Sequence, residues 1–217
     1  KVLVVGCGIS GIGATELLEK VGASPVLFDE NTKVNIDNVK AKFVNGYEAK
    51  IVIGELPKEA EDEIQMGVLS PGVPSDTAFA DSFRKRGIPV IGEIELAYLC
   101  SKGSVLAITG TNGKTTTTAL CGKIMQEYFA SSYIVGNIGN PYTSAALQMQ
   151  DDTVTVAEIS SFQLETIEKF HPKVSAILNI TPDHLDRHHT MENYAKTKQD
   201  ITMNQTKEDI CVLNYED

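Results

Sequence analysis

No apolar run in this sequence approaches the about 18 residues of a membrane-spanning helix, and no secretory signal precedes the first strand-like segment. A membrane partner is therefore not expected, and the chain reads as cytoplasmic. Cysteine is sparse: Cys7, Cys100, Cys121 and Cys211 lie far apart and form no C-x-x-C pair. That spacing argues against a zinc site or a disulfide framework and leaves free thiols in a reducing compartment. Basic charge is also short, with 19 Lys and Arg against 29 Asp and Glu and a formal net charge of −10. A nucleic-acid binder would carry a basic face, so no nucleic-acid partner is expected. Nucleotides stay open, because a few backbone N–H groups and one lysine suffice for a phosphate. Repeats and low-complexity tracts are missing as well, and an acidic chain without an evident apolar patch is expected to be a monomer.

What is present begins with the first eleven residues, KVLVVGCGISG. An apolar run from Val2 to Val5 leads into Gly6, Gly8 and Gly11, spaced G-x-G-x-x-G, and Asp29 closes a second apolar run, PVLFD. This is the dinucleotide-binding fingerprint, with an acidic residue where a ribose would need it. The loop alone does not say whether the ligand is a nicotinamide cofactor or another nucleotide. A helical stretch follows from about Gly11 to Val21, and PVLFD, KIVIG, GVLS and IPVI read as further short strands. EAEDE reads as a solvated helix face, and SPGVP as a tight loop at the end of a strand.

The pattern restarts near Gly92. GEIELAYLC reads as a helix, and KGSVLAITGTNGKTTTTALCGKIMQEY as strand, loop and helix. SSYIV, VTVAEIS, VSAILNI and ICVLN read as strands, with helical stretches near 163–170 and 192–204 between them. Strands alternating with helices imply parallel sheets joined by right-handed crossovers. The expected class is α/β, with an N-terminal Rossmann-like domain over residues 1–92 and a central P-loop ATPase domain with a mainly parallel sheet over 93–217.

The strongest chemical signal is ITGTNGKTTTT. It departs from the strict G-x-x-x-x-G-K-[ST] pattern because Ile108 stands five residues before Gly113, yet the physics of a phosphate loop remains. Glycines turn backbone N–H groups toward the phosphates, and the start of a helix adds partial positive charge. Gly110, Thr111, Asn112, Gly113, Lys114, Thr115 and Thr116 form the candidate ATP loop. Lys114 would reach the β- and γ-phosphates, and the Thr115 hydroxyl would ligate Mg²⁺. Open α/β sheets place ligands at the C-terminal ends of their strands. In a parallel sheet those ends bring Asn137, Glu158, Ser160 and the segment Asn179–His184 to the same rim as Lys114. Taken singly, Glu158 reads equally well as a solvated residue and His184 as a structural one; their joint placement points to a Mg²⁺–nucleotide site.

GTNGKTTT, GNIG, EISSFQLE and NITPDHLDRH, in this order and at these intervals, resemble the Mur ligases of peptidoglycan synthesis. SPGVP, GEIELA and SSFQLE are most similar to the branch that adds D-glutamate. The resemblance covers the first two of that enzyme's three domains; a C-terminal amino-acid-binding domain is expected to be missing, so the chain reads as part of something longer. It implies that the first glycine loop holds the UDP of UDP-N-acetylmuramoyl-L-alanine rather than NAD, through Gly8, Ile9, Ser10 and Gly11, with Asp29 near the uridine and Gly72 close by. It further implies that Asn137, Ser160 and Gln163 line the muramoyl substrate.

The implied reaction is ATP-dependent amide ligation: the L-alanyl carboxylate is phosphorylated to an acyl phosphate, which the amine of D-glutamate attacks. The resemblance implies Lys114, Glu158, His184 and Lys198 as catalytic residues and two Mg²⁺ sites. One metal would sit on Thr115 and Glu158, the other on His184 and a carbamylated lysine. The family's Y-x-x-x-K spacing, here Tyr194 to Lys198, selects Lys198; Lys196 lies two residues away on another helix face. The bland alternative is that Lys198 is a solvated helix lysine. The rival readings are another Mur ligase that adds L-alanine or a diamino acid, a nucleotide-dependent oxidoreductase, which leaves GTNGKTTT, Glu158 and His184 idle, and a binding module without turnover. Ligase activity of this piece alone is expected to be negligible.

Overall fold

In the computed structural model, which describes residues 1–44 and 46–216, the chain forms two parallel sheets of five strands each. The first contains β1 (Val2–Val5), β2 (Pro25–Asp29), β3 (Lys50–Ile53), β4 (Met66–Leu69) and β5 (Val90–Gly92) in the order β3-β2-β1-β4-β5. The second contains β6 (Ser104–Thr109), β7 (Ser132–Gly136), β8 (Val154–Glu158), β9 (Val174–Ile177) and β10 (Ile210–Leu213) in the order β10-β9-β6-β8-β7. Each sheet therefore reverses its winding beside its first strand, β1 or β6, where α/β folds open a crevice for ligands.

The short apolar runs of the inner strands form because a parallel sheet covered by helices is buried on both faces; β10, at one edge, is exposed along its length. Side chains alternate across β1: Val2 and Val4 enter one core, and Leu3 and Val5 enter another with Phe28 and Phe83. The first core does not stop at the domain edge. It takes in Leu17 and Leu18 of the helix Ile9–Lys20, Leu96 and Ala97 of the helix Glu93–Cys100, and Tyr142, Val135 and Ala157 from around the second sheet. One apolar cluster thus joins the two sheets, with Glu93–Cys100 as the shared element.

Gly11 shows how tightly the first helix enters. A Cβ at this position would stand 1.8 Å from the carbonyl oxygen of Gly6, so a side chain here would push the helix off the loop that precedes it.

The helix expected near 163–170 stops early, as Ser161–Leu164. Its continuation is taken over by Glu95, whose buried carboxylate accepts the backbone N–H groups of Glu168, Lys169 and Phe170 at 2.9, 2.8 and 3.0 Å. A short helix, Leu185–His188, comes after β9, and the helix expected near 192–204 covers Met191–Gln199, followed by a 3₁₀ turn over Asp200–Thr202. Among the described residues no helix is long and apolar enough to cross a membrane.

Candidate functional site

A cleft of about 820 Å³ opens along the first glycine loop, between the two sheets. Its N-terminal wall is the loop from Gly6 to Ser10, Asp29 at the end of β2, and the SPGVP turn with Gly72; its other wall carries Asn137 and Gln163. Gly8, Ile9 and Ser10 open the helix Ile9–Lys20, and no side chain caps it. The first-turn N–H groups therefore face the cleft end of a twelve-residue helix, a ready anion site. Gly11 does not line this cleft; it packs against Gly6. The Asp29 carboxylate lines the cleft while accepting N–H bonds from Cys7 at 2.9 Å and Asn31 at 3.0 Å. It holds the loop to the end of β2 as well as facing the ligand.

The second loop follows β6. Gly113 caps the helix Lys114–Tyr128 at φ +83°, a left-handed conformation that suits glycine. Asn179, after β9, holds the loop from the side: its Oδ1 accepts the Asn112 N–H at 2.8 Å, its Nδ2 donates to the Asn112 carbonyl at 3.0 Å, and its carbonyl accepts the Thr111 N–H at 2.8 Å. Lys114 folds over the loop, its Nζ donating to the carbonyls of Gly110 at 3.0 Å and Thr111 at 2.9 Å. Thr115 and Thr116 stay exposed on the first turn of the helix.

Lys198 is 1% exposed, not solvated. Its Nζ donates to the Gly110 carbonyl at 2.8 Å and lies 4.7 Å from the centre of the Tyr194 ring, whose hydroxyl sits 3.2 Å from Thr111 Oγ1. Burial, reinforced by the nearby charge of Lys114, pushes the Lys198 ammonium down to about 8. Among the described residues neither lysine forms an ion pair with a carboxylate. The loop therefore concentrates two ammonium groups, a setting that suits an anion.

Parallel register sets Gly136 and Ile108 beside Glu158, so the ends of β6, β7 and β8 share one edge. Glu158 is 1% exposed. One carboxylate oxygen accepts a hydrogen bond from Asn137 Nδ2 at 2.7 Å, and the other is buried without a partner among the described residues. An orphaned hard oxygen donor beside a phosphate loop fits a Mg²⁺ ligand. His184 sits at a left-handed φ of +51°, half exposed, with its ring 4.9 Å from that of Phe162 and Nε2 3.5 Å from Asp183. No three His, Cys, Asp or Glu side chains converge on one point among the described residues; hydroxyl, phosphate or carbamate oxygens would have to complete any metal shell. Ser160 caps the helix Ser161–Leu164 in a reciprocal box with Gln163.

Two groups at the site escaped the sequence. Arg187 makes a two-pronged ion pair with Glu165, at 3.0 and 2.6 Å, and donates to the carbonyls of Pro71 at 3.2 Å and Val73 at 3.1 Å across the domain boundary. Its guanidinium also lies 4.4 Å from the Phe162 ring centre. The DRH in NITPDHLDRH was the signal, but its partners are far away in sequence. Glu93, the first residue of the connecting helix, lines the cleft and accepts from Gln163 Nε2 at 2.7 Å. Burial pushes its carboxyl up to about 7.

Comparison with known proteins matches residues 1–92 to the Mur ligase MurD-like N-terminal domain and residues 108–217 to the Mur ligase middle domain. The chain is 57% identical over 217 residues to the UDP-N-acetylmuramoylalanine–D-glutamate ligase of Lachnoclostridium phytofermentans, and 58% identical over 216 residues to the ligase of that name from Lachnospira eligens. All of this chain is covered in both cases, against 48% of each relative, so the chain spans about half the length of the curated relatives it matches. Among solved structures it resembles the UDP-N-acetylmuramate:L-alanyl-gamma-D-glutamyl-meso-diaminopimelate ligase of Neisseria meningitides, with a TM-score of 0.63 at 14% identity, covering all of this chain and 71% of that one. That likeness concerns the fold.

Proposed function

This chain belongs to the Mur ligase family, and we propose that it is the substrate- and nucleotide-binding part of a ligase that joins D-glutamate to UDP-N-acetylmuramoyl-L-alanine at the expense of ATP, in the cytoplasm and as a monomer. The observation that carries this reading is the Asn137–Glu158 hydrogen bond at 2.7 Å. Asn137 lines the large cleft, and Glu158, paired with Ile108 on the strand that leads into the phosphate loop, keeps a second oxygen without a partner among the described residues. One side-chain pair therefore spans from the sugar-nucleotide site to the ATP site, where the two substrates must meet.

The chemistry follows from this adjacency. A carboxylate is a poor electrophile, so the substrate's L-alanyl carboxylate attacks the γ-phosphorus of ATP and ADP leaves. The amine of D-glutamate then adds to the acyl phosphate, loses a proton, and phosphate departs through a tetrahedral intermediate. The protein contributes position and charge neutralisation. Helix-start N–H groups hold the UDP diphosphate; Lys114 and the loop N–H groups hold the γ-phosphate; Asn137, Ser160 and Gln163 orient the muramoyl arm. Thr115 and Glu158 would hold one Mg²⁺, and His184 with a Lys198 carbamate a second; bound there, the metal neutralises the phosphate oxygens. Lys198 suits carbamylation because a buried amine with a lowered pKa carries the free electron pair that attacks CO₂. D-glutamate would be held largely by the part of the relatives that this chain does not span, so this piece binds its ligands without turnover.

Replacing Asn137 with Ala tests the adjacency. The variant is expected to weaken both UDP-N-acetylmuramoyl-L-alanine and MgATP, each roughly tenfold. Loss at one ligand only would detach the two sites and remove the main support for this reading.

A further inference from the structure

The connecting helix Glu93–Cys100 carries two carboxylates that are equally hidden, Glu93 at 2% and Glu95 at 1% exposure. Glu95 is structurally complete, with three backbone N–H donors closing a turn of the chain. Glu93 is not. One of its oxygens accepts from Gln163 Nε2, and the other is buried without a partner among the described residues. Burying an acid with half its bonding unmet costs stability, and no turn, cap or ion pair recovers it. A fold requirement explains Glu95 and leaves Glu93 unexplained.

What Glu93 does hold is one amide. Gln163 Oε1 accepts from the Ser160 N–H at 2.8 Å and from the Ser160 hydroxyl at 3.0 Å, so Nε2 must point the other way, to Glu93. Turning the amide over would set its NH₂ against the Ser160 N–H and its carbonyl against the Glu93 carboxyl. Nε2 has two hydrogens; Glu93 takes one, and the second has no acceptor among the described residues. Gln163 and Glu93 both line the large cleft.

We propose that Glu93 is a positioning residue of the cleft, whose carboxyl fixes the Gln163 amide so that one Nε2 hydrogen is presented to an oxygen acceptor on the bound sugar nucleotide. The inference rests on the cleft being the site of the UDP-linked substrate. Either protonation state of Glu93 serves, since a carboxylate and a neutral acid both accept through an oxygen. A glutamine at this position keeps that acceptor, and a leucine removes it.

The test is calorimetric titration of the chain and its variants with UDP-N-acetylmuramoyl-L-alanine, with MgATP titrated in parallel to report an intact central domain. Glu93→Leu is expected to weaken the sugar nucleotide roughly tenfold with MgATP unchanged, and Glu93→Gln to restore affinity to within about twofold of the unaltered chain. Unchanged affinity in Glu93→Leu overturns the inference, and so does a Glu93→Gln variant as weak as Glu93→Leu, which would make charge rather than amide orientation the active quantity. If Glu93→Leu loses MgATP and so has failed to fold, the side-chain amide resonances of Gln163 in the unaltered chain decide. They are expected to shift when the sugar nucleotide is added, and unshifted resonances overturn the proposal. Absence of binding by the unaltered chain would remove the reading of the cleft itself, and this inference with it.

Discussion

Lys114 and Lys198 donate to the same carbonyl oxygen, that of Gly110, at 3.0 and 2.8 Å. One lysine starts the phosphate-loop helix and the other comes from a helix more than eighty residues later, and neither forms an ion pair with a carboxylate among the described residues. Two like charges around one carbonyl repel, so the arrangement makes sense as half of a site that an anion completes. Within the proposed ligase, that anion is the γ-phosphate for Lys114, while carbamylation turns Lys198 itself from a cation into an anion.

Lys198 is expected to take up CO₂. Supplying ¹³C-labelled bicarbonate to the chain near pH 8 should give a carbamate carbon resonance that vanishes in Lys198→Arg, because a guanidinium does not form the adduct. A resonance that survives the substitution, or never appears, places the modification elsewhere or denies it.

The free oxygen of Glu158 predicts how Mg²⁺ acts. Glu158→Gln should leave MgATP binding no tighter than ATP binding without metal, whereas in the unaltered chain Mg²⁺ should tighten ATP by about tenfold. The same variant is expected to keep or raise the unfolding midpoint, since it takes the charge off a buried carboxylate one of whose oxygens has no partner among the described residues. Titration of ATP with and without Mg²⁺, alongside urea unfolding, measures both effects.

Arg187 should matter for stability out of proportion to its place in a four-residue helix, Leu185–His188. Arg187→Ala removes a two-pronged ion pair and two bonds to the SPGVP turn, leaving Glu165 largely buried without its cation. Breaking such a pair costs about 3 kcal/mol. Urea unfolding should show a loss of this size, and a loss below about 1 kcal/mol would mean that solvent already screens the pair.

The raised Glu93 carboxyl gives stability a pH dependence of definite sign. Unfolded, the group ionises near 4.5; folded, it holds its proton to about 7. Below 4.5 the folded chain has the full advantage of a neutral acid, and the advantage is lost as pH rises through 7, at most about 3 kcal/mol for this group. Glu93→Gln should flatten the difference in unfolding free energy between pH 5 and pH 8. Identical pH slopes for the two proteins would show that the carboxyl ionises freely in the folded state.

Most of the strands were legible because a parallel sheet buried on both faces writes continuous apolar runs, and VLVV, PVLFD and VTVAE all formed where those runs lie. The glycine loops were legible because their work is done by backbone geometry. What stayed hidden depends on partners far apart in sequence. The helix that stops at Leu164 is cut short by Glu95, some seventy residues earlier, and nothing in SSFQLE announces it. GEIELA presents Glu93 and Glu95 alike, and only their partners separate the one that closes a turn from the one that faces the cleft. The alternative of a solvated Lys198 stayed open because helix periodicity does not reveal what packs over a face; in the structure it is buried, with Nζ on the Gly110 carbonyl of the phosphate loop.

The nucleotide that the first glycine loop accepts separates a ligase from an oxidoreductase. Calorimetric titration of this chain with UDP-N-acetylmuramoyl-L-alanine, and with NADH under the same conditions, decides it. Binding of the UDP compound at one site, with no heat from NADH, is the result predicted. Binding of NADH alone would contradict the account and make the first domain a dinucleotide site.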